Sequence, residues 1–131
     1  MNRSVVPQVP LKVQQEIGRR SREASVTDYV IVLTTLSVSA DAAVLARTLV
    51  EERLAACVNV LGEMGSWYRW KGVIEHDRER QVLLKTRRDR VPELEARLKQ
   101  LHPYDVPEFV VLPIEDGGLA YLAWLGESLA R

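Results

Sequence analysis

The chain has 131 residues, room for one domain of ordinary size, and its 47% hydrophobic and 27% charged content excludes a chain that is disordered throughout. Eighteen basic residues balance eighteen acidic ones, so no net field points to a nucleic-acid backbone. The single cysteine, Cys57, excludes an intrachain disulfide, and no CxxC or paired Cys/His spacing suggests structural zinc.

Residues 1–28 carry scattered valines around Pro7 and Pro10, then the charged run Arg19-Arg20-Ser21-Arg22-Glu23. They hold too few large apolar residues to pack alone and read as a mobile N-terminal tail without a secretory core. No run approaches the roughly 20 apolar residues of a membrane span. The expectation is a soluble cytoplasmic protein that binds neither membrane nor nucleic acid.

The folded domain, residues 29–131, begins at Tyr29-Val30-Ile31-Val32-Leu33-Thr34-Thr35, a β-branched run that predicts a central strand covered on both faces. Ser39 and Asp41 offer capping oxygens before Val44, Leu45, Leu49 and Leu54, whose spacing predicts a helix with one apolar side. Ala56 to Leu61 is a second strand pattern. It continues past Gly62 and Gly65, where a bulge or bend is expected, into Trp67-Tyr68-Arg69-Trp70. Lys71-Gly72 between aromatic and β-branched residues predicts a tight hairpin turn, with the third strand running through Val73-Ile74-Glu75 to Gln81–Thr86.

Asp89 offers a cap for a second helix, Pro92 is tolerated in its first turn, and Val91, Leu94, Leu98 and Leu101 form its apolar side. After His102-Pro103-Tyr104-Asp105-Val106-Pro107, the run Glu108 to Ile114 predicts a long last strand. Asp116-Gly117-Gly118 ends it, and Leu119, Leu122, Leu125 and Leu129 mark a terminal helix. Strand, helix, strand, strand, helix, strand is the α+β, ferredoxin-like split βαβ order, here with an extended hairpin and an extra C-terminal helix. A long aromatic-rich strand at the edge of that sheet needs a partner, so self-association is expected.

Several separate motifs in one order resemble the CutA family. They are Leu54-Ala55-Ala56-Cys57-Val58-Asn59, the hairpin Ser66 to Glu75, Lys85-Thr86, His102 to Glu108, and Tyr121-Leu122-Ala123-Trp124-Leu125. The resemblance covers residues 29 to about 129. It implies a homotrimer with hairpins pairing across subunits, a trimer shape like that of the PII signalling proteins, and a link to divalent-metal tolerance. It also implies a copper site built from a first-strand cysteine and two adjacent histidines. This chain has Thr34 at the cysteine position and Leu101-His102 at the histidine pair, so only His102 carries over.

The candidate metal residues are therefore His102 and Cys57. His102 sits before Pro103 at a helix end, where it serves either as a ligand or as a C-terminal cap. Cys57 is either a soft ligand for Cu or Zn or a small packed side chain. His76, in a charged stretch of hairpin, reads as solvated strand surface. Trp67, Tyr68, Trp70, Tyr104 and Trp124 are expected at a subunit interface, with base stacking as the sharper alternative. Lys85, Glu75 and Glu108 are a candidate polar cluster for a small anion or an ion pair.

Three functions compete on these residues. The first is trimeric divalent-metal binding and tolerance of copper type, with a metal ion bound but not obligatory. The second is a PII-like signalling or scaffold module taking a small anion or a partner protein. An enzyme ranks last, because no nucleophile, acid/base pair or phosphate-cradling loop is present.

Overall fold

The computed structural model describes residues 10–12 and 27–131. The expected mobile tail therefore lies outside the described residues, except for 10–12 and its last two positions. Those two join the domain: Thr27 donates from its backbone nitrogen (3.0 Å) and its hydroxyl (2.7 Å) to the carbonyl of Ile114, and the Asp28 carbonyl accepts from Arg88 N at 2.7 Å.

Strand β1 (Tyr29–Ser37) leads to helix α1 (Ala42–Glu51), then to the long strands β2 (Cys57–Trp70) and β3 (Val73–Arg87). A single 3-10 turn (Arg88–Arg90) precedes helix α2 (Val91–Leu101), followed by β4 (Val110–Pro113) and α3 (Leu119–Leu129). The sheet order is β2-β3-β1-β4 and every neighbouring pair is antiparallel. This is the expected ferredoxin-like arrangement, because α1 and α2 each carry the chain over the sheet between two strands of the same direction.

Alternation along β1 sorts the sheet faces. Val30, Val32 and Leu36 are buried on one face with Val82 and Leu84 of β3, and Leu45 and Leu49 of α1 with Leu94 and Leu98 of α2 complete that core. Tyr29 on the opposite face meets Leu125 and Leu129 of α3, forming a second, smaller cluster with Ala56. Thus α3 covers one end of the second face, and the end around Thr35 and Ser37 is left to the loop after α2.

Asp41 caps α1 as expected, its carboxylate accepting from Val44 N at 3.1 Å. The apolar side of α1 differs from the expected one. Val44 is 58% exposed, and the helix ends at Glu51, short of Leu54. Arg53 takes a positive φ of 58° and donates to Val50 O, while Leu54 N donates to Leu49 O at 3.0 Å, a Schellman turn that folds Leu54 back beside Leu49. Leu54 reaches the core by reversal of the chain.

Asp89 does not cap α2. It lies in the 3-10 turn and accepts from Arg87 Nε at 2.8 Å, while Arg90 occupies the cap position without a capping side-chain hydrogen bond, its guanidinium donating to Leu129 O instead. The last strand is only four residues long, because Glu108 turns its carboxylate to Gln81 (2.8 Å) before pairing with β1 begins at Val110.

The hairpin follows expectation closely. Pairing of β2 with β3 shifts register between Val60 and Glu63, a bulge at Leu61-Gly62. Lys71 and Gly72 both have positive φ (50° and 81°), the type I′ geometry that suits the twist of a two-residue hairpin. A Cβ on Gly65 would lie 2.9 Å from His76 Nε2, so glycine there lets the imidazole lie flat across the strand.

If the helix face is as described, Leu49→Ala costs about 2–5 kcal/mol by opening a core cavity, whereas Val44→Ala changes stability by no more than about 0.5 kcal/mol. Urea unfolding of the two variants at equal protein concentration checks the contrast.

Candidate functional site

The register of β3 sets out the exposed face of the sheet. Thr35 pairs with Gln81 and Ser37 with Glu79, after which β1 ends and β3 continues alone with β2 into a two-stranded arm. Where arm and sheet join, a cleft of about 970 Å³ opens. Its floor holds Thr35, Ser37, Glu79 and Gln81; one wall is the loop Tyr104 to Glu108, and the arm supplies Trp67, Tyr68, Trp70 and Asp77.

The cleft is anionic. Asp77, Glu79, Asp105 and Glu108 line it against one cation, Arg78, whose guanidinium turns to Glu63 at 3.5 Å. Glu79 is only 7% exposed, and its Oε2 accepts from the Tyr104 hydroxyl at 2.7 Å. Asp77 accepts from the Tyr68 hydroxyl, a diagonal contact across the hairpin. Gln81 Nε2 donates to both Thr34 O and Glu108 Oε2, each at 2.8 Å, which ties the loop to the sheet.

These contacts move the phenols. The hydrogen bond to Asp77 pushes Tyr68 up to about 12, with the neighbouring carboxylates adding to it. Burial, then the hydrogen bond to Glu79, holds Tyr104 well above the ordinary phenol range. Both phenols keep their protons, and donate, at neutral pH.

The residues singled out in the sequence fall in separate places. Trp67, Tyr68 and Trp70 stand on the arm, and Trp67, 72% exposed, stacks on His76 at 3.8 Å and 8°. His76 is exposed on the strand surface, as expected, and is also half of a stacked pair. Tyr104 is in the cleft wall, and Trp124 stacks on Tyr121 within α3. Lys85, Glu75 and Glu108 do not form one cluster within a chain. Lys85 and Glu75 are ten positions apart on β3, about 33 Å, and Glu108 belongs to Gln81. Lys85 Nζ instead donates to the Tyr121 hydroxyl at 3.1 Å.

Neither do Cys57 and His102 meet within one chain. Cys57 faces Lys85, whereas His102 is bonded to Thr35, whose partner is Gln81. The β3 positions they lie beside, Lys85 and Gln81, are about 13 Å apart along the strand. His102 Nδ1 accepts from Tyr104 N at 3.1 Å and Nε2 donates to Thr35 O at 2.7 Å, so both ring nitrogens are used and the tautomer is fixed. The Cys57 thiol makes one long contact, to Asn59 Oδ1 at 3.7 Å. Among the described residues no three or more His, Cys, Asp or Glu side chains converge as a metal site. No helix among them is long and apolar enough to cross a membrane.

Asp77, Glu79 and Gln81 went unnoticed as site residues because a polar run on a strand reads as solvent-facing surface. Their spacing of two, ahead of the apolar β3 core, was the available signal.

Fold and cleft together define a ferredoxin-like α+β domain with a projecting hairpin arm. Residues 30–128 match the family description "CutA1 divalent ion tolerance protein", and the chain belongs to that family. The divalent-cation tolerance protein CutA of Thermus thermophilus is 48% identical over 98 residues, 75% of this chain and 95% of that protein. The human protein CutA is 46% identical over 81 residues, 62% of this chain but 45% of the human one. The crystal structure of CutA from Xylella fastidiosa superposes with a TM-score of 0.76 at 38% identity, covering 79% of this chain and 100% of that one.

A raised phenol value stabilises the fold fully below the unfolded value near 10 and is lost as the pH climbs through the folded one. Absorbance titration should therefore show a tyrosinate transition near pH 12 that disappears in Tyr68→Phe. A wild-type titration with every tyrosine ionised by about pH 10.5 contradicts the contact with Asp77.

Proposed function

We propose that this chain is a homotrimeric, cytoplasmic protein of divalent-cation tolerance that binds its ligand without transforming it, with copper or zinc held where copies meet. One observation carries the assembly. Trp67, Tyr68, Trp70, Val73 and Ile74 are all exposed on an arm that has no third strand among the described residues. An apolar, aromatic ribbon with an unpaired strand edge is stable in water when another copy covers it. Family membership supports the metal role.

Cys57 is the better candidate of the two expected ligands. It lies on the outermost strand and its thiol is held only by the long contact to Asn59. His102 joins a metal only by giving up both of its hydrogen bonds. A second reading, a PII-like module for a small anion or partner protein, is favoured by Lys85, which has no carboxylate partner among the described residues.

Light scattering of the full chain should give the mass of three copies, with dissociation in a Trp67→Ala, Trp70→Ala double variant; a monomeric wild type contradicts assembly. In chelator competition, Cys57→Ala weakens Zn²⁺ or Cu⁺ binding about tenfold or more. His102→Asn leaves binding near the wild-type value but lowers stability by about 1–3 kcal/mol through its orphaned partners. Loss of binding in the His102 variant alone would reverse these roles.

A further inference from the structure

The charges of the hairpin arm are sorted by face. From Glu75-His76-Asp77-Arg78 the strand continues into Glu79-Arg80, acidic and basic types in strict alternation, and a strand turns alternate side chains to opposite sides. One face of the arm therefore carries Glu75 and Asp77, with Tyr68 and Trp70 of β2 beside them. The other carries His76 and Arg78, with Trp67 and Arg69. The contacts follow this division: Tyr68 donates to Asp77 on the first face, and Trp67 stacks on His76 on the second.

Little within the chain offsets either charge. No lysine or arginine among the described residues pairs with Glu75 or Asp77, although Lys71 at the turn stands 6.0 Å from the centre of the Trp70 ring. On the opposite face Glu63 is shared between Arg78 and Arg80 at 3.5 and 3.6 Å, and Arg69 reaches only the Gly72 carbonyl, at 3.4 Å. Each face also exposes apolar groups that water does not favour, Trp70 and Val73 on the acidic one, Trp67 and Ile74 on the basic one.

Two copies meeting through the same face would set like charges against each other, which is unfavourable. A two-fold contact of that kind lays a patch on itself, so charge sorting selects against it. Unlike faces match in charge and cover each other's rings. Taking the assembly proposed above as given, we propose that the docking partner of the arm is the arm of a second copy, laid with the basic face of one on the acidic face of the next. Such a contact is head-to-tail and closes as a ring when the rotation between copies allows. The rings supply the burial, and the carboxylates and guanidinium groups choose the direction.

Exchange of subunits between two fluorescently labelled pools of the full chain, with mass followed by light scattering, tests this. Raising NaCl from about 50 mM to about 500 mM should speed exchange about tenfold or more, because exposed charges are screened. Glu75→Lys with Asp77→Lys makes both faces of the arm basic, and Arg69→Glu with Arg78→Glu makes both acidic. Each double variant alone should lose the wild-type mass at low salt while its β1 amides stay protected. Mixed in equal amounts, the two should associate with each other, because every basic face then has an acidic one to meet. Salt-independent exchange, wild-type mass in either variant, or folded variants that stay apart on mixing overturns the proposal. The salt comparison needs no substitution and decides the matter if a variant fails to fold. A wild-type trimer with any of the contrary results leaves the assembly standing without its charge selection; a monomeric wild type removes both.

Discussion

A mismatch of strand lengths governs this molecule. β3 has fifteen residues and β1 only nine, so their ladder ends at Ser37 and Glu79. Beyond that point, among the described residues, β2 and β3 have only each other, and a two-stranded ribbon alone is marginal in water. The residues on it are nonetheless apolar and aromatic, with Lys71-Gly72 closing it in the turn type that keeps its twist. An exposed apolar ribbon of this kind gains order when a partner covers it, and this is the physical basis for the proposed assembly.

The same mismatch creates the cleft. Where β1 stops, the face of β3 is no longer roofed by α3 and is instead walled by the loop from Tyr104 to Glu108. His102 fixes that loop: its ring bridges Tyr104 N and Thr35 O, so the loop and the end of β1 move together. Gln81 fastens the other side by holding Glu108 and Thr34 O. A histidine that reads in the sequence as either a ligand or a helix cap stands at the C-cap and acts in the structure as a brace.

Most of the fold was legible because it rests on local rules. The apolar β1 run, the Asp41 cap, the bulge before Glu63 and the Lys71-Gly72 turn are set by side-chain period and backbone preference, and each stands where the sequence indicates. The departures come from tertiary contacts that no short window contains. Leu54 enters the core through a Schellman turn, Asp89 is drawn to Arg87, and Glu108 leaves its strand for Gln81. The site was less legible for the same reason. Glu79 is ordinary in a charged run until the fold puts Tyr104, 25 residues away in sequence, against its carboxylate. Residues named together, such as Lys85 and Glu75, share a strand but not a neighbourhood within one chain.

The most direct measurement is amide hydrogen exchange along β2 at protein concentrations above and below the point of dissociation. The amides of Cys57–Trp70 that point away from β3 have no acceptor strand among the described residues. Coverage by another copy predicts that they are protected at high concentration, in step with the amides of β1, and lose protection on dilution. Fast exchange of those outward amides at every concentration, with β1 still protected, would contradict assembly through the arm.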